Sequence, residues 1–215
     1  GGDPAARRLL LDADDLGLPL ARMFHEVLRP ALVEVGARWV TGGLRVGQEH
    51  EVTEAARDWI AELAHRHAPP PRPGPVLLAA CVAGEHHDLG PRMIVALLRA
   101  RGHNVQFLGA DVAVPFLVEE VVARRPAAVL LAATMADRLP TVKATAAALV
   151  EAASPRAMPI VAGGQIVPEH SAKLRQWGVV PASGGDLDEV LATILGFTAR
   201  DDRALAGAGT RRRVA

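Results

Sequence analysis

Residues 75–102 read PVLLAACVAGEHHDLGPRMIVALLRARG. They open with an apolar run of strand length and close with apolar residues at helical spacing, and a polar loop containing Gly84 and Gly90 lies between. A buried strand that feeds a helix through a short loop is the repeating piece of an α/β sheet. The same alternation continues downstream. The runs NVQFLG (104–109), AAVLLAAT (127–134), PIVAGG (159–164) and GVVPAS (178–183) are strand-like, and stretches such as PTVKATAAALVEAA (140–153) are helical. Five strands alternating with helices predict a doubly wound, five-stranded parallel sheet of flavodoxin-like (Rossmann-like) kind, whose ligand site lies at the carboxyl ends of the strands. The loop that carries Glu85, His86, His87 and Asp88 is the first of those ends.

Upstream the period is helical throughout. Phe24, Val27, Leu28, Ala31, Leu32 and Val35 recur on one helical face, as do Thr53, Ala56, Ile60 and Leu63, and a first helix is expected over about residues 4–14. Pro30 should bend or break the second helix. The stretch HAPPPRPGP (67–75) has five prolines in nine residues and cannot continue a helix. The expected organisation is therefore an N-terminal helical bundle over 1–68, a proline-rich linker over 69–75, an α/β domain over 76–198 and a flexible tail over 199–215. His65 and His67, at the end of a helix before the linker, read as solvated.

Composition removes several function classes. The 215 residues are 50% hydrophobic, enough for a substantial core, and 24 Lys and Arg balance 24 Asp and Glu. No global field would draw such a chain to nucleic acid or to an anionic membrane. No apolar run approaches the roughly 20 residues of a membrane span. Cys81 is the single cysteine, which excludes an internal disulfide framework and fits a reducing, cytoplasmic setting. The opening Gly1-Gly2 reads as an expression scar or the edge of a fragment.

The loop at 84–93 admits more than one chemistry. Acids at the end of a first strand suit Mg2+ in a phosphorylation receiver, but imidazole nitrogens are poor magnesium ligands. Zinc needs three or four N, O or S donors, and no distant cluster completes such a set around Glu85, His86 and His87. The plainest alternative is structural, with Asp88 as the N-cap of a helix beginning near Leu89.

A longer pattern separates these readings. Glu85-x-His87-x-x-Gly90, followed by Ala132-x-Thr134 and then by Gly163-Gly164, resembles the Asp/Glu-x-His-x-x-Gly, Ser-x-Leu/Thr and Gly-Gly signatures of cobalamin-binding domains, in register. The resemblance implies that His87 coordinates cobalt from below and that the dimethylbenzimidazole tail enters a slot in the sheet, where the glycine pair lets backbone approach it. The residue types suit those roles. Neutral imidazole is a good cobalt ligand, a carboxylate two residues away can hold its other ring N–H, and glycines admit a flat, bulky group. Asp88 belongs to the same loop. Ala132 departs from the family's serine, leaving Thr134 to offer a hydroxyl.

The helical region carries a second resemblance. Trp39, nine intervening residues that include Val46, and then Glu49-His50 are similar to the Trp-x9-Glu-His signature of CarH-type light-sensing regulators, and the two resemblances together span roughly residues 7–197. Independent of family, Val46, Glu49, His50 and Thr53 stand at i, i+3, i+4 and i+7, at the head of a face that continues through Ala56 and Ile60. Trp39 as a packing residue and Glu49-His50 as a solvated helix start is the plain reading of either feature alone. The CarH-type resemblance implies adenosylcobalamin as cofactor, with Trp39 covering the adenosyl group and Glu49 and His50 bonded to it. It also implies a switch without turnover: light breaks the Co–C bond, the helical cap shifts, and self-association as dimer or tetramer changes. DNA would be engaged only through a separate DNA-binding domain, for which the chain has no room and which Arg211 to Arg213 are too few to replace. Val40 stands where the family often has a histidine that captures cobalt in the light, so water or a rearranged His50 would take that position. The alternative from another class is a corrinoid carrier of a methyltransferase system, holding methylcobalamin. An adenosylcobalamin mutase subunit is a third, but nothing in the sequence suggests the companion barrel.

Overall fold

The computed structural model describes residues 3–70, 74–183 and 186–196; part of the expected linker and the whole of the expected tail lie outside them. Two compact units emerge, one of Gly1–Arg72 and Arg92–His103, the other of Pro73–Pro91 and Asn104–Ala215.

The first unit is helical. Asp3 caps α1 (Pro4–Asp15), its Oδ1 accepting the Ala5 N–H at 2.9 Å, and Pro4 at the first helical position loses no bond that the helix could have made. Gly17, at φ 85°, ends it in the left-handed conformation that suits glycine after a helix. α2 (Leu20–Arg22) runs into a π-helical turn (Met23–Leu28) and then into α3 (Arg29–Val40) without interruption. The expected bend or break at Pro30 is instead a change of ladder. Pro30 has no N–H for the Glu26 carbonyl, and the Arg29 N–H reaches back five residues to Phe24.

The long α4 (Val46–His67) buries Ala55, Ala56, Ile60 and Leu63, which join Met23, Phe24 and Leu28 in the core of this unit. Arg7 of α1 forks onto Glu62, and Arg66 onto Asp14 and Asp15. His67 is more than solvated: its Nε2 lies 2.5 Å from Asp14 Oδ1. The apolar face expected to continue into α3 is only partly covered. Phe24 and Leu28 are buried, whereas Val27 and Ala31 are exposed and α3 buries no residue.

The second unit is the predicted sheet. β1 (Val76–Cys81), β2 (Asn104–Phe107), β3 (Ala128–Ala132), β4 (Ile160–Gly163) and β5 (Val179–Pro181) are all parallel, in the order β2-β1-β3-β4-β5. α6 (Val114–Arg124), α7 (Leu139–Ala153) and α8 (Val167–Gln176) lie between the strands in the chain, and residues 187–196 are helical again. The central strands read as unbroken apolar runs because both of their faces are buried. Leu78, Val129, Leu131 and Ile160 pack with Leu117 and Val121 of α6, Val142 and Leu149 of α7, and Leu174 of α8. α5 (Leu89–Ala100) starts in this unit, and from Arg92 its residues group with the first. The order reverses between β1 and β3, and the loops leaving these two strands flank that switch point, the place where open α/β sheets bind ligands.

Candidate functional site

Three loops meet at the carboxyl ends of β1, β2 and β3, and Glu85 ties them together. Its side chain is buried, at 1% exposure, and the hydrogen bonds that it makes among the described residues are accepted from N–H groups. Oε1 takes the His87 backbone N–H at 2.9 Å and the His87 ring Nδ1 at 2.5 Å. Oε2 takes the Thr134 N–H at 2.6 Å and the Met135 N–H at 3.4 Å, across the switch point. The Glu85 main-chain carbonyl accepts the Asp111 N–H at 2.9 Å, and Asp111 Oδ1 accepts the Gly84 N–H at 2.6 Å, which adds the β2–α6 loop. Burial opposes the charge of Glu85 more than any other single factor. Taken together, however, the backbone N–H groups of Thr134 and His87 and the His87 ring outweigh it and hold the carboxyl below the usual glutamate range.

An ionised carboxylate can only accept, so Nδ1 of His87 carries a proton, and in the neutral ring Nε2 then keeps its lone pair. The His87 side chain is 63% exposed, with one nitrogen anchored to a buried acid and the other free to ligate. This is the donor arrangement of a metal-ligating histidine with its orienting carboxylate. His86 is also exposed, yet it makes no such bond among the described residues. Asp88 is buried at the start of α5. Among the described residues no group of three His, Cys, Asp or Glu side chains could hold a metal by itself.

The glycines test the room for a flat group. A Cβ at Gly90 or at Gly163 would meet no atom within 4 Å. Gly164 differs: at φ 114° its Cβ would strike the Ala133 carbonyl, so glycine is required there for the backbone itself. Gly90 and Gly163 thus each leave room at the carboxyl ends of the strands.

The helical unit carries the other set. Trp39, 46% exposed, closes α3, and Val46 and Glu49 open α4 after the turn at 41–45. Gln48 Oε1 accepts from the Arg45 backbone N–H at 3.1 Å, one half of a capping box. Glu49 lies between two neighbours on the same helix, Oε2 with His50 Nδ1 at 2.8 Å and Oε1 with the Thr53 hydroxyl at 2.7 Å. Val33 and Val40 of α3 and Val46 of α4 are exposed apolar side chains of the same unit.

Residues 75–194 match the family model described as "B12 binding domain", and residues 2–64 match a second model of the same description. The chain belongs to the B12-binding domain family. Two relatives are repressors from Myxococcus xanthus. This B12-binding chain is 36% identical over 76% of its length to the HTH-type transcriptional repressor CarH, and 31% identical over 66% to the HTH-type transcriptional repressor CarA. It spans about half of each, 54% and 47%. Among solved structures, the monomethylamine corrinoid protein of Methanosarcina barkeri shares the fold with a TM-score of 0.73 at 20% identity, covering 88% of this chain and 89% of that one. A cobalamin-binding protein of Desulfitobacterium hafniense reaches 0.52 at 21% identity, covering 77% of each. The chain is a B12-binding module similar to CarH over 76% of its length. No described helix is long and apolar enough to cross a membrane.

Two site residues escape a reading of the sequence. Asp111 adopts φ 52°, a conformation unusual for any residue but glycine, and only its bond to Gly84 shows why. Arg138 lies over Gly84 from the turn after β3. Glu85 also sets a pH dependence. Because its pKa is lowered on folding, its contribution is present above the ordinary glutamate value, about 4.3, and is lost as pH falls through the folded value. Glu85→Gln puts an amide NH2 against N–H donors and is expected to cost about 2 kcal/mol at neutral pH and less at an acidic pH below the folded value of Glu85. Urea unfolding at the two pH values checks this; an equal loss at both would remove the carboxylate from the account.

Proposed function

We propose that this chain is an adenosylcobalamin-binding, light-sensing regulatory module in which the cofactor's state controls self-association and, through it, transcription. What supports the reading is the anchored His87 ring in a chain of the B12-binding family that resembles CarH over three quarters of its length. His87 ligates cobalt through Nε2, and Glu85 fixes the ring and its tautomer. Glu85, Asp88, Gly90, Thr134, Gly163 and Gly164 shape the region of the sheet unit that takes the corrin and its tail. Trp39, Val46, Glu49 and His50 recognise the adenosyl group, with Trp39 as the stacking surface and Glu49 and His50 as hydrogen-bonding partners. When bound, adenosylcobalamin supplies a cobalt–carbon bond that visible light breaks. Residues that have lost the adenosyl partner no longer favour the arrangement it selected, so the helical unit redistributes and a dimer or tetramer built on it changes. DNA is reached through a separate domain.

The test is to load the protein in darkness with adenosylcobalamin and with methylcobalamin and to follow mass by size exclusion with light scattering, before and after green light. The adenosyl form should lose mass on illumination. Glu49→Ala should reduce the preference for adenosylcobalamin over methylcobalamin by about tenfold, the scale of one or two lost hydrogen bonds. Unchanged mass with the bond cleaved, together with equal loss for both cofactors, would favour a corrinoid methyl carrier instead.

A further inference from the structure

Arg138 ends the 3-10 turn that follows β3 (Ala136–Arg138), five residues after Ala133. Its guanidinium lies against Gly84, where a Cβ would collide with Nη1, so the glycine before Glu85 is also what lets the arginine reach the first loop. For a cation in this position its partners are few. Nη2 lies 3.2 Å from Asp137 Oδ2, but Asp137 is 66% exposed, and such a pair is screened by water. Nε is buried and finds no acceptor among the described residues. The nearby anions are already engaged, Glu85 by backbone and ring N–H groups and Asp111 by the Gly84 N–H. A buried donor without an acceptor is uncommon, and a guanidinium with an unanswered N–H suits an oxyanion.

Cobalamin carries one such anion. Its corrin side chains end in neutral amides, and its only phosphodiester joins one of them to the nucleotide base. When a protein histidine takes the lower position on cobalt, the base and its phosphodiester leave the metal and pass along the protein. Arg138 stands over Gly84, in the loop that carries His87, at the carboxyl end of β1. We propose that Arg138 binds the phosphodiester of the cofactor's nucleotide tail and so selects complete cobalamins over corrinoids that lack the tail. The inference rests on the cobalamin reading above.

The test titrates wild type, Arg138→Gln and Arg138→Lys with hydroxocobalamin and with cobinamide, which lacks both phosphodiester and base, and follows the visible spectrum. Thermal melting of each variant checks its fold. Arg138→Gln should weaken hydroxocobalamin binding about tenfold or more, as expected for a lost charge-assisted contact, and leave cobinamide binding unchanged. Arg138→Lys should keep part of the difference, and added salt should narrow it. Equal loss for both corrinoids, or no loss for either, would overturn the assignment while leaving cobalamin binding intact. A wild-type chain that takes up neither corrinoid would remove the cobalamin reading and this proposal with it.

Discussion

Replacing His87 with alanine is expected to abolish His-on binding and lower cobalamin retention by at least about a hundredfold. Removing only the group that orients a metal-bound histidine already costs about 10- to 100-fold, and here the ligand itself is lost. The change should be confined to binding. The His87 ring is mostly in solvent, and without it Glu85 keeps the backbone N–H groups of residue 87, Thr134 and Met135, so the loops stay joined. His86→Ala is the control, since that neighbour is exposed and has no bond to Glu85. Visible spectra and cofactor retained after dialysis measure both variants. A spectrum identical to wild type in His87→Ala would end the ligand assignment.

Gly164→Ala should destabilise the sheet unit by roughly 3 kcal/mol or more, combining strain at a left-handed φ with overpacking. The collision is with the backbone of Ala133, a buried residue whose N–H donates to the Gly163 carbonyl at 3.0 Å, so the neighbouring chain cannot easily move aside. Gly163→Ala is the informative contrast. Its Cβ meets open space, so stability should stay near wild type while cobalamin binding weakens as the methyl group occupies room proposed for the tail. Urea unfolding separates the pair, and equal stability losses would contradict the placement of the two glycines.

Much of this molecule is written locally in its chain. β1 and β3 were legible because central parallel strands are buried on both faces and must be apolar without interruption. α1 was legible to within a residue because Asp3 and Pro4 satisfy the helix start by short-range bonds. The Glu85-x-His87 spacing was legible too, because a carboxylate two residues away reaches the ring from within the same loop. Pro30 was legible as a disturbance, though its outcome was not, since a missing N–H can be answered by a break, a bend or a longer-range ladder, and the packing of Met23, Phe24 and Leu28 accompanies the last. How little of α3 is covered was equally hidden, because a helical period reports an apolar face but not its cover.

The sequence by itself therefore determined the element types, the alternation that makes a parallel sheet, and the residue types of the ligating loop. Only the tertiary structure decided that β1 and β3 are neighbours. That adjacency puts Thr134 and Met135 on Glu85 from 49 and 50 residues away and brings Arg138 over Gly84, while the pairing of β1 with β2 locks Asp111 to the same glycine. The physical reason is range. Periodicity, caps and a two-residue spacing act within a few residues of chain, whereas the charge state of Glu85 and the place of Arg138 over Gly84 arise from groups that meet only when the strand order is set.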